Sequence, residues 1–185
     1  PPPPPRRVAT TWSPTASSIQ DTSVPAGIAT IRRTRNISPA SARTTVEQVL
    51  TLADTGALVA LLDRSDEHHA WAVCCFRRLQ PPLLTCDAVL AEAWHLLGSA
   101  PPSRSTLSIM HGDGVFTSDF DFESNAPQLW KLLHKYADLP MDLADACLVR
   151  MSELHADCQV WTTDSDFRVY RRLGRKVIPL LAPWT

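Results

Sequence analysis

Asp54, Glu92, Asp142, Asp145 and Asp164 stand in stretches otherwise suited to burial. Asp54 closes the run VLTLAD, Glu92 interrupts AVLAEAWHLL, Asp145 lies inside LADACLV, and Asp164 follows QVWTT. An ionised carboxylate removed from water costs several kcal/mol unless it is paired, hydrogen-bonded or bound to a cation. Two carboxylates about 4 Å apart repel by about 4 kcal/mol at an effective dielectric near 20. Several at one place therefore call for a divalent cation. Oxygen ligands alone, with no Cys or His among them, favour Mg²⁺ or Mn²⁺ over Zn²⁺. A cation so held activates water and offsets charge on a phosphate, which is what phosphodiester hydrolysis needs. Each acid also has a plainer reading. Asp142 and Asp54 suit helix caps, Asp164 or Asp166 suit turns, and Glu92 suits an arginine partner. Taken jointly, the plain readings would all have to fall at one sheet edge by chance.

The elements that must hold these acids alternate in type. Residues 49–53 read as a buried strand and 55–63 as a helix, followed by the polar break RSDEHH. A second helix over 68–79 ends at Pro81 and Pro82. Residues 83–86 predict a strand, with Asp87 as N-cap of a helix over 88–97 that stops at Gly98. Residues 103–110 read as a helix, 115–117 as a short edge strand, and SDFDFES as an acidic loop. Residues 127–137 are amphipathic, with Leu129, Leu132, Leu133 and Tyr136 on one face, and Pro140 breaks the pattern. A helix over 142–156, a strand over 159–163 and a last strand over 177–181 complete the chain.

Strands alternating with helices imply a parallel sheet covered on both faces. Ligands bind such sheets beyond the carboxyl ends of the strands. Asp54 and Asp164 occupy that position. Asp142 and Asp145 share a helix face one turn apart, and Glu92 lies in a helix rising from the same edge.

At 185 residues the chain is long enough for one ordinary domain, and its apolar and charged fractions are those of a globular protein. A net charge of -1 provides no global field for nucleic acid or membrane, so any polyanion must be held by a local patch. The run FRVYRRLGRK offers one, with Arg168, Arg171, Arg172, Arg175 and Lys176 just after Asp164. Contacts of that kind give affinity for phosphates without sequence choice; the alternative is an ordinary solvated face. Tyr170 and Phe167 read as core, with base stacking as the other use. His68 and His69 read as surface residues near a helix start. The five cysteines form no CxxC pair and read as reduced core thiols of a cytosolic protein. No apolar run reaches the roughly 18 residues of a membrane span.

Residues 1–45 are rich in Pro, Ser, Thr and Arg, with Asp21 as their only acid. A segment of this composition is expected not to fold by itself. A flexible arm, or upstream sequence taken in by an over-extended reading frame, is favoured over a transit peptide. The folded pattern begins abruptly within residues 46–54 and needs nothing before it. The folded domain is thus expected over 46–185.

Four segments, LADTGALVALLDRSDEHHAWA, LLTCDAVLAEAWHLL, YADLPMDLADACLVRMSE and VWTTDSDFRVYRRLGRKVIPLL, resemble the PIN-domain nucleases in order and spacing. The likeness is strongest to the ribonuclease toxins of bacterial VapC type and covers about residues 50–182. It implies a three-layer α/β/α sandwich with a central parallel sheet of four to five strands. By motif it makes Asp54, with Thr55 beside it, the first acid and Glu92 the second. Asp145 is the third, with Asp142 as an additional acid, and Asp164 is the fourth, ahead of Asp166. Such a pocket is implied to hold Mg²⁺ or Mn²⁺ and to hydrolyse RNA. A cytoplasmic homodimer restrained by a small cognate antitoxin is implied as well. Residues 101–127 match least, and residues 1–45 have no counterpart.

Two other classes compete. A PIN-like module could bind RNA or protein without cutting, but the complete acidic set argues against that. A haloacid-dehalogenase-type phosphohydrolase needs a second Asp two residues after the first, where this chain has Gly56.

Overall fold

The parallel order of the five strands in the main sheet sets where the acids emerge. In this computed structural model residues 49–98, 101–118, 120–139 and 141–184 are described, so the expected arm over 1–45 lies outside the described residues. Strand β1 (Leu50–Ala53) leads directly into helix α1 (Thr55–Leu62), and helix α2 (His69–Phe76) follows. Strand β2 (Leu83–Thr85), helices α3 (Asp87–Leu96) and α4 (Pro101–Gly112), and strand β3 (Phe116–Ser118) come next. Helices α5 (Phe122–Lys135) and α6 (Leu143–Leu154) precede strand β4 (Cys158–Trp161) and a 3-10 turn over Ser165–Arg168. Short strands β5 (Arg171–Arg172) and β6 (Lys176–Val177) form an antiparallel hairpin, and β7 (Leu180–Leu181) closes the chain.

The main sheet has the order β3-β2-β1-β4-β7, with every pairing parallel. Helices flank it, giving the expected α/β/α sandwich at the upper strand count. β1 lies at the centre because it is buried on both faces, as a continuous apolar strand must be. The short strand near residue 116 is an edge strand, as expected.

Several boundaries differ from expectation for local reasons. Helix α5 begins at Phe122, inside the stretch read as an acidic loop, because the Asp121 side chain caps it by accepting from the Ser124 N–H. Pro127 lies within that helix and removes one backbone hydrogen bond without ending it. Cys86, rather than Asp87, is the N-cap of α3. Strand β2 stops one residue early, and the Asp87 carboxylate accepts instead from the Ser118 hydroxyl on β3. The expected strand over 177–181 divides at Pro179: Lys176 and Val177 pair back onto β5, while Leu180 and Leu181 join β4. His69 is half-buried rather than a surface residue, and its ring Nδ1 lies 2.8 Å from the Ala60 carbonyl oxygen.

The core runs along α6, whose Ala144–Val149 stretch is buried throughout. It continues through Leu52, Leu83, Phe116 and Trp161 of the sheet. The Trp161 ring stacks on Phe76 and tilts against Trp71, both 6.3 Å away between centroids. Leu148 is fully buried. Leu148→Ala is expected to cost about 3 kcal/mol through lost burial plus a cavity. Urea unfolding should read this as a lower midpoint at unchanged slope. All five cysteines are free thiols, three of them buried. No helix among the described residues is long and apolar enough to cross a membrane.

Candidate functional site

The register of the two central strands places the first and last acids. Ala53 of β1 pairs with Trp161 of β4. The next residues, Asp54 and Thr162, therefore leave the sheet side by side at its carboxyl edge. The Thr162 hydroxyl donates to Asp54 Oδ2 at 2.6 Å and accepts from the Asp164 backbone N–H at 2.8 Å. Asp54 is only 4% exposed and caps α1, with Oδ1 accepting from the Thr55 N–H at 2.7 Å. The Thr55 hydroxyl in turn donates to Glu92 Oε2 at 2.9 Å, bringing α3 into the group. Gly56 permits this crowding: a Cβ there would lie 2.2 Å from Thr163 Oγ1 and 3.7 Å from Asp54 Oδ2. A second aspartate at that position has no room beside Asp54, which removes the dehalogenase-type alternative.

Helix α6 contributes the remaining pair. Asp142 caps it, and Asp142 Oδ1 accepts from the Asp145 N–H at 2.9 Å. Asp145 Oδ2 reaches back to the Asp142 N–H at 3.4 Å, completing a capping box. Asp145 is 7% exposed, and its Oδ2 also accepts from the Tyr170 hydroxyl at 3.1 Å. Asp164 caps the 3-10 turn, accepting from the Asp166 N–H at 2.9 Å. The plain readings of Asp54 and Asp142 as helix caps and of Asp164 as a turn residue therefore hold, and all three face one place. Helix N-termini ease negative charge there by only about 0.3–1 kcal/mol each.

Electrostatics shows that the acids feel one another. Burial pushes the Asp54 carboxyl up to about 7, with Asp164 and Glu92 adding to the rise against the hydrogen bonds from Thr162 and Thr55. Burial also pushes Asp145 up to about 8, helped by Asp142, Asp54 and Asp164. Asp164 is raised as well, by burial and then by Asp166 and Asp142. None of these acids makes an ion pair with a described residue, and the partner of Glu92 is Thr55 rather than the arginine of its plainer reading. The carboxylates stand within electrostatic reach rather than in contact. Among the described residues no three Asp, Glu, His or Cys side chains close into a finished ligand cluster. The donor set nevertheless fits a hard divalent cation. It is all oxygen, it lacks a compensating cationic side chain, and Asp145 Oδ1 accepts no hydrogen bond from the described residues.

The basic run divides in use. One Arg171 nitrogen, Nη1, donates to the carbonyls of Arg168, Val169 and Tyr170 at 2.7–2.9 Å. Arg172 Nη1 donates to the carbonyls of Ser152 and Ala156 at the end of α6. These two guanidinium groups each spend one nitrogen on backbone carbonyls that brace the fold. Arg168 lies over the Trp184 ring at 5.1 Å, and Arg175 and Lys176 are exposed at the hairpin. Phe167 and Tyr170 are buried, so core packing is their use. Thr162 was not legible as a site residue, because only the register of β1 and β4 sets it beside Asp54.

The carboxyl edge of this parallel α/β/α sandwich thus gathers acids from the end of β1, from α3, from α6 and from the segment after β4, and two of them, Asp54 and Asp145, are buried. The chain belongs to the PIN domain family, whose model matches residues 51–173. Among solved structures it is similar to Mycobacterium tuberculosis VapC20, described as a toxin cleaving the sarcin-ricin loop, at 19% identity and a TM-score of 0.59. That match covers 64% of this chain and 93% of the other, and at this identity the likeness is one of fold. No curated protein matches the sequence significantly.

Proposed function

We propose that the protein is a Mg²⁺- or Mn²⁺-dependent endoribonuclease and the toxin of a type II toxin–antitoxin pair. The observation that carries this reading is the burial of Asp54 and Asp145 without cationic partners, facing Glu92 and Asp164 at one sheet edge. Asp54, Asp145, Glu92 and Asp164 would hold the cation, with Asp142 as an outer acid. Bound there, it would lower the pKa of water and offset negative charge on a phosphodiester. Thr162 ties the Asp54 carboxylate to the Asp164 backbone, and Thr55 orients Glu92. The PIN family membership and the fold shared with a toxin that cleaves the sarcin-ricin loop support RNA as substrate. They also support a cognate antitoxin as partner, and a homodimer in the cytoplasm completes the proposal. The full acidic set favours this over a non-cleaving binding module.

Incubation of the full chain with total RNA tests the reading. Fragments are expected with Mg²⁺ or Mn²⁺ and intact RNA with EDTA; intact RNA under both conditions would sink the enzyme reading. The substrate backbone needs cationic contacts, and Arg175 and Lys176 are exposed candidates on the β5–β6 hairpin. Each phosphate contact on a single strand contributes about 0.7 to the salt slope of binding. Arg175→Ala combined with Lys176→Ala is expected to reduce the slope of log K against log salt by about 1.4 if both are used, and cleavage of short RNA should weaken in parallel.

A further inference from the structure

The geometry points to Tyr170 as a positioning residue that aims the Asp145 carboxylate at the cation. The inference rests on the metal-site reading above and goes beyond it by assigning a role to a residue outside the acidic set. Tyr170 is fully buried, and its hydroxyl donates to Asp145 Oδ2 at 3.1 Å. The Asp142 N–H reaches the same oxygen. Both donors therefore occupy Oδ2, and Oδ1 is the oxygen left to face a ligand. Removing the hydroxyl would leave one long bond to hold the carboxylate's rotation.

The tyrosine is itself held from three sides. Its ring meets those of Tyr136 and Phe167 edge-on, at 5.2 and 5.3 Å between centroids. The next residue along, Arg171, donates its backbone N–H to the Tyr136 hydroxyl at 2.9 Å. The Arg171 side chain clasps the carbonyls of residues 168–170. The segment that begins with Asp164 thus returns, six residues later, to brace the acid on α6. A hydrogen bond to a metal-ligating carboxylate fixes its orientation, and its loss typically lowers metal affinity by about 10- to 100-fold.

Tyr170→Phe tests this, because the ring keeps its place between Tyr136 and Phe167. Mn²⁺ titrated calorimetrically into the full chain is expected to bind the variant about 10- to 100-fold more weakly than wild type. RNA cleavage should fall at limiting Mn²⁺ and recover at saturating Mn²⁺, with KM for RNA unchanged. Tyr136→Phe, which loses a hydroxyl in the same cluster but has no bond to Asp145, should keep its Mn²⁺ affinity within about twofold. Equal affinity in Tyr170→Phe and wild type overturns the inference while leaving the metal site standing. Equal weakening in both variants assigns the effect to packing and overturns it too. Wild type that binds no Mn²⁺ removes the metal site and this role together.

A second measurement does not depend on how the variant folds. The chain has two tyrosines, so 3-fluorotyrosine gives two ¹⁹F resonances, assigned with Tyr136→Phe. Mg²⁺ should shift the Tyr170 signal more than the Tyr136 signal, and a Tyr170 signal that stays put contradicts the role.

Discussion

Asp145→Asn is expected to lower metal-dependent RNA cleavage by at least about 100-fold while making the metal-free protein more stable near pH 8. The two effects have one cause. Asp145 is buried on a helix that is apolar on most sides, beside Asp142, Asp54 and Asp164. Its carboxyl is pushed up to about 8, so near that pH the folded protein holds a charge it would be more stable without. Asparagine is nearly isosteric. Its amide oxygen can take the Oδ2 position and keep the bonds from Tyr170 and the Asp142 N–H. Its NH₂ falls at Oδ1, which accepts nothing from the described residues. Stability should therefore rise by on the order of a few kcal/mol, since one pKa unit corresponds to about 1.4 kcal/mol. Cation binding should collapse, because the oxygen lost is the one left free for it. Losing an outer-shell partner costs up to about 100-fold, and losing a ligand should cost at least that much. Thermal melts in EDTA and cleavage assays in Mn²⁺ check the two halves. A less stable variant, or a fully active one, would separate this acid from the site.

The second large effect is a reversal of the pH dependence of stability by metal. Asp54 and Asp145 titrate at about 7 and about 8 in the folded chain, against an ordinary value of 3.8. Between those limits the folded protein holds protons that the unfolded chain has released. The slope of unfolding free energy against pH is then negative. The contribution of these groups is fully present at low pH and is lost as pH rises through 7 to 8. In EDTA the melting temperature is thus expected to fall between about pH 6 and about pH 8.5. Over this interval the change should be about 2 kcal/mol for one group, and less than double for both, because each carboxylate raises the other. Mg²⁺ or Mn²⁺ binds the ionised forms, so saturating metal should flatten or invert the trend and stabilise most at the alkaline end. Cleavage at subsaturating metal should rise over the same interval. A melting temperature in EDTA that climbs from pH 6 to pH 8.5 would show that these carboxyls are not raised.

The sheet was legible because its strands are short apolar runs closed by acids or prolines, a pattern parallel strands produce when buried on both sides. Asp54 and Asp164 were placed at the carboxyl edge by that logic alone, and Asp145 by its apolar helix. The positions that escaped depend on contacts distant in sequence. Thr162 is an unremarkable polar residue until the register of β1 and β4 sets it beside Asp54. Tyr170 reads as core, and is core, yet its hydroxyl reaches α6. Arg171 and Arg172 look like a phosphate-binding pair, but free backbone carbonyls near the 3-10 turn and at the end of α6 claim them. The start of α5 was missed because Pro127 looked like a first-turn residue, while the cap at Asp121 lay in an acidic stretch that reads as loop.

The central claim is that carboxylates from four separate segments, two of them buried, form one divalent-cation site. Mn²⁺ titrated calorimetrically into the metal-free full chain near pH 8, beside the same titration into Asp54→Asn, tests it most directly. The account predicts saturable binding by wild type and its loss in the variant. Absence of binding heat in wild type, or equal affinity in the variant, would contradict it.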